Sequence, residues 1–265
     1  MRLTACLRVP VLALAVLLTA GSPVRAAETR ASDAALIGFF EAVVFRSEYE
    51  SVTPSTRLKK WLQPLRVTVS SLSGKVVPKP SGGKELKLKK QRPAARNIKI
   101  IQKHLRTLVR LTGVRTEDAK KVKKPANLAI KFVPRLAMAA PFMAKEAPPD
   151  LLKKLAAPGV CYFLTWAVES GAIVKGIIVV NNQLPPEDLE ACLLEEMTQV
   201  MGLPNDSDLV SPSVFNRSSQ PRRLSRSDRI LIRTVYDKRM APGAPKDEAM
   251  VLARKIIPEL NRVVE

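Results

Sequence analysis

Glu195, Glu196 and Gln199 are the residues whose types and spacing could do chemistry, in the run Glu195-Glu196-Met197-Thr198-Gln199-Val200-Met201-Gly202-Leu203-Pro204-Asn205-Asp206. On a helix, positions i and i+4 share one face, so Glu195 and Gln199 offer oxygen donors one turn apart. Glu196, beside them, is a candidate base for a bound water. Two adjacent carboxylates also raise the pKa of at least one of them, and a perturbed acid in a cleft marks a candidate functional site. Asn205 and Asp206, just past Gly202, are expected to line the same cleft. At about 100° per residue the three helix residues fall within an arc of about 100°. Leu189, Leu193 and Val200 flank this polar stripe on one side, and Leu194, Met197 and Met201 lie farther round, so much of the helix is expected to be buried. A polar stripe on a buried helix must face a cleft or find partners. The plain structural alternative is that Glu196 and Gln199 bond neighbouring backbone and fix the helix.

The same stretch resembles the extended metzincin motif, H-E-x-x-H-x-x-G-x-x-H. Glu196 and Gly202 match its glutamate and glycine, and Glu195, Gln199 and Asn205 stand at its three ligand positions. His104 is the only histidine in the chain, so no His-ligated zinc can form. Leu224-Ser225-Arg226-Ser227-Asp228, with Ile230, Leu231 and Val235-Tyr236, is similar to the closing helix of matrixin-type metzincins. Between the two segments, where those enzymes carry a methionine turn, Ser211-Pro212-Ser213-Val214-Phe215 has no methionine. What the resemblance implies is a zincin-like α+β fold: a small mixed sheet packed on a central motif helix, with C-terminal helices, no resident cofactor and no zinc. A second resemblance rests on Phe45-Arg46-Ser47-Glu48-Tyr49, Lys60-Trp61, Leu111-Thr112-Gly113, Cys161, the Glu-Glu-x-x-Gln segment and Tyr236-Asp237-x-Arg239-x-x-Pro242-Gly243. It is to an uncharacterised bacterial exported-protein family of unknown function, spans roughly Glu41 to Gly243, and implies no activity.

Three functions from different classes follow. The favoured one is a non-catalytic binding or scaffolding module acting through a cleft beside Glu196; fold resemblance alone does not name its ligand. The second is a hydrolase in which Glu195, Gln199, Asn205 and Asp206 hold a hard cation such as calcium or manganese while Glu196 acts as base. The third assigns function to a lysine-rich segment that binds anionic envelope polymers.

The formal charge of +20 gives that third reading its basis, since a strong basic excess favours anionic partners. Lys79, Lys84, Lys87, Lys89, Lys90, Arg92 and Arg96 cluster between residues 75 and 96 among Pro78, Pro80, Gly82 and Gly83, which reads as a mobile surface insertion. Lys84, Lys87, Lys89 and Lys90 are its candidate polyanion contacts. No aromatic residue lies among these lysines to stack on bases, which argues against nucleic acid. An unidentified protein, an anionic envelope polymer or phospholipid headgroups at a membrane periphery are the expected partners. A solvated basic surface serving solubility alone is the bland alternative.

The N-terminus reads as a secretory signal over residues 1–26: Arg2 and Arg8, an apolar run from Val9 to Ala20, then small residues around Val24-Arg25-Ala26. The apolar run falls short of the roughly 20 residues a spanning helix needs. Removing the signal also removes Cys6, leaving Cys161 and Cys192, a pair expected to bridge in a periplasmic or secreted protein; two buried thiols remain the alternative. Residues 27–265 are read as a single domain. At 265 residues with 46% hydrophobic content the chain is long enough for a sizeable core.

Periodicity then places the elements. Helical spacing runs through Asp33 to Tyr49, Leu65-Val67-Val69 alternate as a strand, and Ile98, Ile101, Leu105 and Leu108 make a helix face ending at Gly113. His104 on that helix has no second ligand at metal spacing and reads as an ordinary helix residue. Leu128, Ile130 and Phe132 alternate, and Cys161–Ala167 and Ile173–Val180 flank the turn Glu169-Ser170-Gly171 as an antiparallel pair. Pro185-Pro186 to Gly202 bound a motif helix of nearly five turns, with helices at Ser225–Asp237 and Glu248–Val263 behind it.

Overall fold

A computed structural model describes residues 30–46, 54–219 and 221–264. Residues 1–26, read above as a signal and containing Cys6, and residues 47–49 of the Phe45–Tyr49 motif lie outside them. Among the described residues the chain is α+β, with a six-stranded mixed sheet. The order of elements is α1 (Asp33–Phe45), β1 (Lys60–Trp61), β2 (Val67–Pro78), β3 (Lys84–Gln91), α2 (Ala95–Thr112), β4 (Leu128–Val133), α3 (Pro149–Ala156), β5 (Cys161–Ala167), β6 (Ala172–Asn181), α4 (Pro186–Gln199), α5 (Arg226–Val235) and α6 (Lys246–Val263). Two single 3-10 turns, at Arg135–Ala137 and Pro141–Met143, lie between β4 and α3.

The parallel strands β2, β4 and β6 form the centre of the sheet. β3 pairs antiparallel to β2 at one edge, and β5 pairs antiparallel to β6 at the other, where the short β1 also joins β6. Strand alternation sorts the side chains by face. Leu128, Ile130 and Phe132 of β4, with Ile178 and Val180 of β6, enter the larger core beneath α1, α2, α4, α5 and α6. Val133, Ile177 and Val179 point the other way, into a smaller core closed by α3 and the two 3-10 turns. The parallel strands are therefore covered on both faces, as such sheets require.

Several expected elements are present with altered limits. The antiparallel pair β5–β6 and the helix ending at Gly113 stand as read; Gly113 takes a left-handed φ of 73° and donates to Val109 O. The motif helix is shorter than nearly five turns: α4 has 14 residues. Its end tightens before Gly202, because Met201 N–H reaches back only to Thr198 O and Gly202 N–H to Gln199 O. The segment 75–96, read as a mobile basic surface insertion, lies mainly in strand and helix at one edge of the sheet. It completes a β2–β3 hairpin registered from Ser71 opposite Gln91 to Pro78 opposite Lys84 and then enters α2. Leu86 and Leu88 supply the physical reason: alternating with lysines, they pack against the smaller core while Lys84, Lys87, Lys89 and Lys90 stay exposed.

His104 is an ordinary helix residue with an unusual environment. It is 3% exposed, its Nε2 has no hydrogen bond, and burial, reinforced by Lys103 and opposed by Glu190, lowers its pKa to about 4. Its folded pKa therefore lies below the unfolded value near 6.5. The unfolded chain takes up the proton first, so this contribution to stability is complete above pH 6.5 and is lost as pH falls toward about 4. Denaturant midpoints measured across that window should decline, and the decline should be smaller in His104→Leu by on the order of 3 kcal/mol at the acid end. An unchanged slope in the variant would show that His104 does not carry it.

Candidate functional site

α4 begins at Pro186, where a missing N–H costs nothing and Glu187 and Asp188 complement the helix dipole. It runs beneath β5 and β6 and alongside α2. Leu189, Cys192, Leu193, Leu194 and Met197 embed it in the larger core. At its end the carbonyls of Val200 and Met201 accept from Trp61 Nε1 at 2.9 Å and Tyr236 Oη at 2.8 Å, so residues far apart in sequence cap it. Gly202 follows at φ 105°, and a Cβ there would lie 2.1 Å from the carbonyl oxygen of Lys59. Only glycine satisfies both that conformation and that approach.

This turn folds the chain back along the helix. Gln199 Nε2 donates to Asp206 Oδ1 at 2.7 Å, and Asp206 Oδ2 lies 3.4 Å from Arg217 Nε. Asn205 takes another direction: both its backbone N–H and its Nδ2 donate to Val43 O at 3.1 Å, tying the loop to α1. Glu196 and Gln199 are each 5% exposed and Asn205 is 6% exposed. Glu195 is half-buried, and Glu195, Glu196 and Asp206 all make further polar or electrostatic contacts. Of the five residues singled out here, the structure joins Gln199 to Asp206 directly and assigns Asn205 to α1.

Behind α4, the loop in the methionine-turn interval is held by Asp228, which is fully buried. Its Oδ1 accepts from Ser213 Oγ at 2.6 Å, and its Oδ2 accepts from the N–H groups of Val214 and Ser225. Ser225 Oγ accepts from Asp228 N–H, closing a reciprocal capping box on α5. Burial pushes the Asp228 carboxyl pKa up, while these hydrogen bonds pull the other way. Ser-x-x-Asp before an apolar helix is a readable signal for this role.

Lys60 is a further buried polar residue. Its ammonium group donates to Val235 O at 3.2 Å and to Met240 O, and lies 5.7 Å from the centre of the Tyr236 ring. A cation at the C-terminal end of α5 complements the helix dipole. Desolvation lowers its pKa, partly opposed by Asp237.

Cys161 on β5 and Cys192 on α4 form a disulfide, with a Cα–Cα distance of 6.3 Å. It fastens the motif helix to the antiparallel edge strand. Lys84, Lys87, Lys89 and Lys90 lie on β3, at the opposite edge, so the lysine row and the Glu-Glu-x-x-Gln helix are separate features. Lys87 pairs with Glu85 at 3.3 Å.

The donor set is a poor fit to a metal. Among the described residues no group of three or more His, Cys, Asp or Glu is gathered as a metal site requires. The amides at positions 199 and 205 are neutral, weak ligands, and their NH2 groups are oriented by donation to Asp206 and to Val43 O.

Together these features define a disulfide-tied α+β domain built around a buried carboxylate–amide helix. The chain belongs to the family described as Protein of unknown function (DUF2927), whose model matches residues 33–255. The likeness read from the motifs between Glu41 and Gly243 falls inside that span. No curated protein and no solved structure matches the chain.

Proposed function

We propose that this protein is an exported, zincin-like binding or scaffolding module of the cell envelope that performs no metal-dependent hydrolysis. The observation that carries the reading is the use made of two of the three ligand positions. Gln199 holds Asp206 and Asn205 holds α1, so side chains placed for metal ligation in the metzincin motif serve here as stitches between helix, loop and neighbouring helix. Support for the zincin-like ancestry comes from the sequence of elements: strand pair, motif helix, glycine turn, returning loop and capped closing helix. Export is supported by the Cys161–Cys192 bridge, since such bonds persist in oxidising compartments. No helix among the described residues is long and apolar enough to cross a membrane.

Metal analysis of the purified mature protein, alongside peptidase assays, tests the reading. The expected result is less than stoichiometric zinc, calcium or manganese, no peptide hydrolysis, and a Glu196→Gln variant that remains folded. One tightly bound metal ion per chain, with hydrolysis abolished by chelation and by Glu196→Gln, would replace it with the enzyme reading. The exposed lysines of β3 favour one addition: this edge engages anionic polymers of the envelope with a steep salt dependence.

A further inference from the structure

Away from α4, a crevice of about 480 Å³ opens where the central parallel strands end. Pro134 follows the last residue of β4, and Asn182 and Gln183 follow the last residue of β6. Ser71, Ser73 and Gly74 enter from β2, Gln91 and Arg92 from the end of β3, and Ala94 and Asn97 from the start of α2. The chain leaves β4 toward α3 on one face and leaves β6 toward α4 on the other. Neighbouring connections that part to opposite faces create a crevice at the carboxyl ends of the strands, the place where open α/β sheets bind ligands.

The lining has a defined chemistry. It contains no carboxylate and no aromatic ring; Arg92 is its one charged residue, and the rest of its polar side chains are hydroxyls and amides. Ser71 is 6% exposed and its Oγ accepts from Gln91 Nε2 at 3.0 Å, which leaves the hydroxyl proton available. Asn182 is fixed by donation from Nδ2 to Leu72 O at 2.7 Å, and Gln183 by accepting from Arg135 N–H through Oε1. Their remaining amide atoms, Asn182 Oδ1 and Gln183 Nε2, are held in place. Ala94, the N-cap of α2, supplies no capping side chain, so the helix start adds N–H donors to a crevice that β2, β3 and the loop after β6 already line.

We propose that this crevice binds a phosphorylated sugar unit. The Arg92 guanidinium supplies a planar fork for phosphate oxygens, and the fixed amides and serine hydroxyls match sugar hydroxyls. The volume lies within the range of small-molecule sites. The proposal deepens the binding-module reading and rests on it. The shared chemistry could be presented by a free sugar phosphate or by a repeating unit of a phosphodiester-linked envelope polymer.

Calorimetric titration of the mature full-length chain tests it, with glucose 6-phosphate, glucose, inorganic phosphate and a phosphodiester-linked poly(glucosyl phosphate) polymer as probes. Glucose 6-phosphate should saturate one site at least tenfold more tightly than glucose or inorganic phosphate. Arg92→Gln, a change at an exposed residue, should weaken it at least tenfold, while Lys124→Gln should leave it unchanged. Tighter binding of the polymer, with the same Arg92 dependence, would support the polymer as source. Equal affinity for glucose or for inorganic phosphate, binding insensitive to Arg92→Gln, or no saturation by either phosphorylated probe would overturn the assignment. If it falls while metal content and hydrolysis remain nil, the binding-module reading stands without this crevice.

Discussion

Replacing Cys161 and Cys192 together by alanine is expected to lower stability by about 3 to 4 kcal/mol, because the bond closes a loop over a separation of 31 residues and its removal restores that freedom to the unfolded chain. For a domain of this size the loss corresponds to a fall in melting temperature of roughly 10 °C. Thermal unfolding of the oxidised protein, the reduced protein and the double variant should place the last two close together. The effect should also be local. α4 is held to β5 by this bond and by packing, so amide exchange should rise first in α4 and β5 when it is absent, with β2 and β4 less affected. A melting temperature unchanged by both treatments would show that packing of Leu189, Leu193 and Met197 alone holds the helix in place.

How far the fold was legible depends on whether an element's signal is local. β4 was readable because Leu128, Ile130 and Phe132 alternate with residues of the opposite face, and α2 because its apolar stripe ends at a glycine that takes a left-handed φ. The two bridging cysteines could be named because the chain has three cysteines and the third, Cys6, falls in the segment read as a signal. β3 was obscured by composition. Its lysines and the nearby prolines and glycines resemble a loop, and the period-two signal from Leu86 and Leu88 is short. α3 begins at Pro149 after a proline-rich stretch and has only 8 residues, with Leu152 and Leu155 buried, which leaves little periodicity to detect.

The candidate site was legible only in part for a related reason. The spacing of Glu195, Glu196 and Gln199 defines a helix face, but spacing does not say which groups meet it. The partner of Gln199 is seven residues on, and that of Asn205 lies on α1, 162 residues away. Long-range pairs of this kind depend on topology. The caps on α4 from Trp61 and Tyr236 and the crevice around Ser71, Asn97 and Asn182 share this property: each is assembled from segments that touch only after the sheet has formed. The capping box of Ser225 and Asp228 was missed from the sequence although its signal is local, since both partners sit three residues apart.

Asp228 is the residue whose loss should cost the most at a single position. Asp228→Ala strands the hydroxyl of Ser213 and the N–H groups of Val214 and Ser225 in a fully buried site, and removes the N-terminal cap of α5. Leaving buried partners unmet costs about 1 to 3 kcal/mol each and the cap about 1 kcal/mol, with incomplete additivity, so a loss on the order of 4 kcal/mol is expected in denaturant titrations. Asp228→Asn keeps the shape and one acceptor and should cost less. The pH dependence separates the charge from the hydrogen bonds. Because burial raises the folded pKa of Asp228 above its unfolded value, the folded state favours the protonated acid, and its contribution is lost as pH rises through the folded pKa. Asparagine has no such dependence. The stability gap between the natural protein and Asp228→Asn should therefore narrow from acid toward neutral pH, whereas a gap that widens over that range would show that the ionised carboxylate, held by Ser213, Val214 and Ser225, is the form the fold prefers.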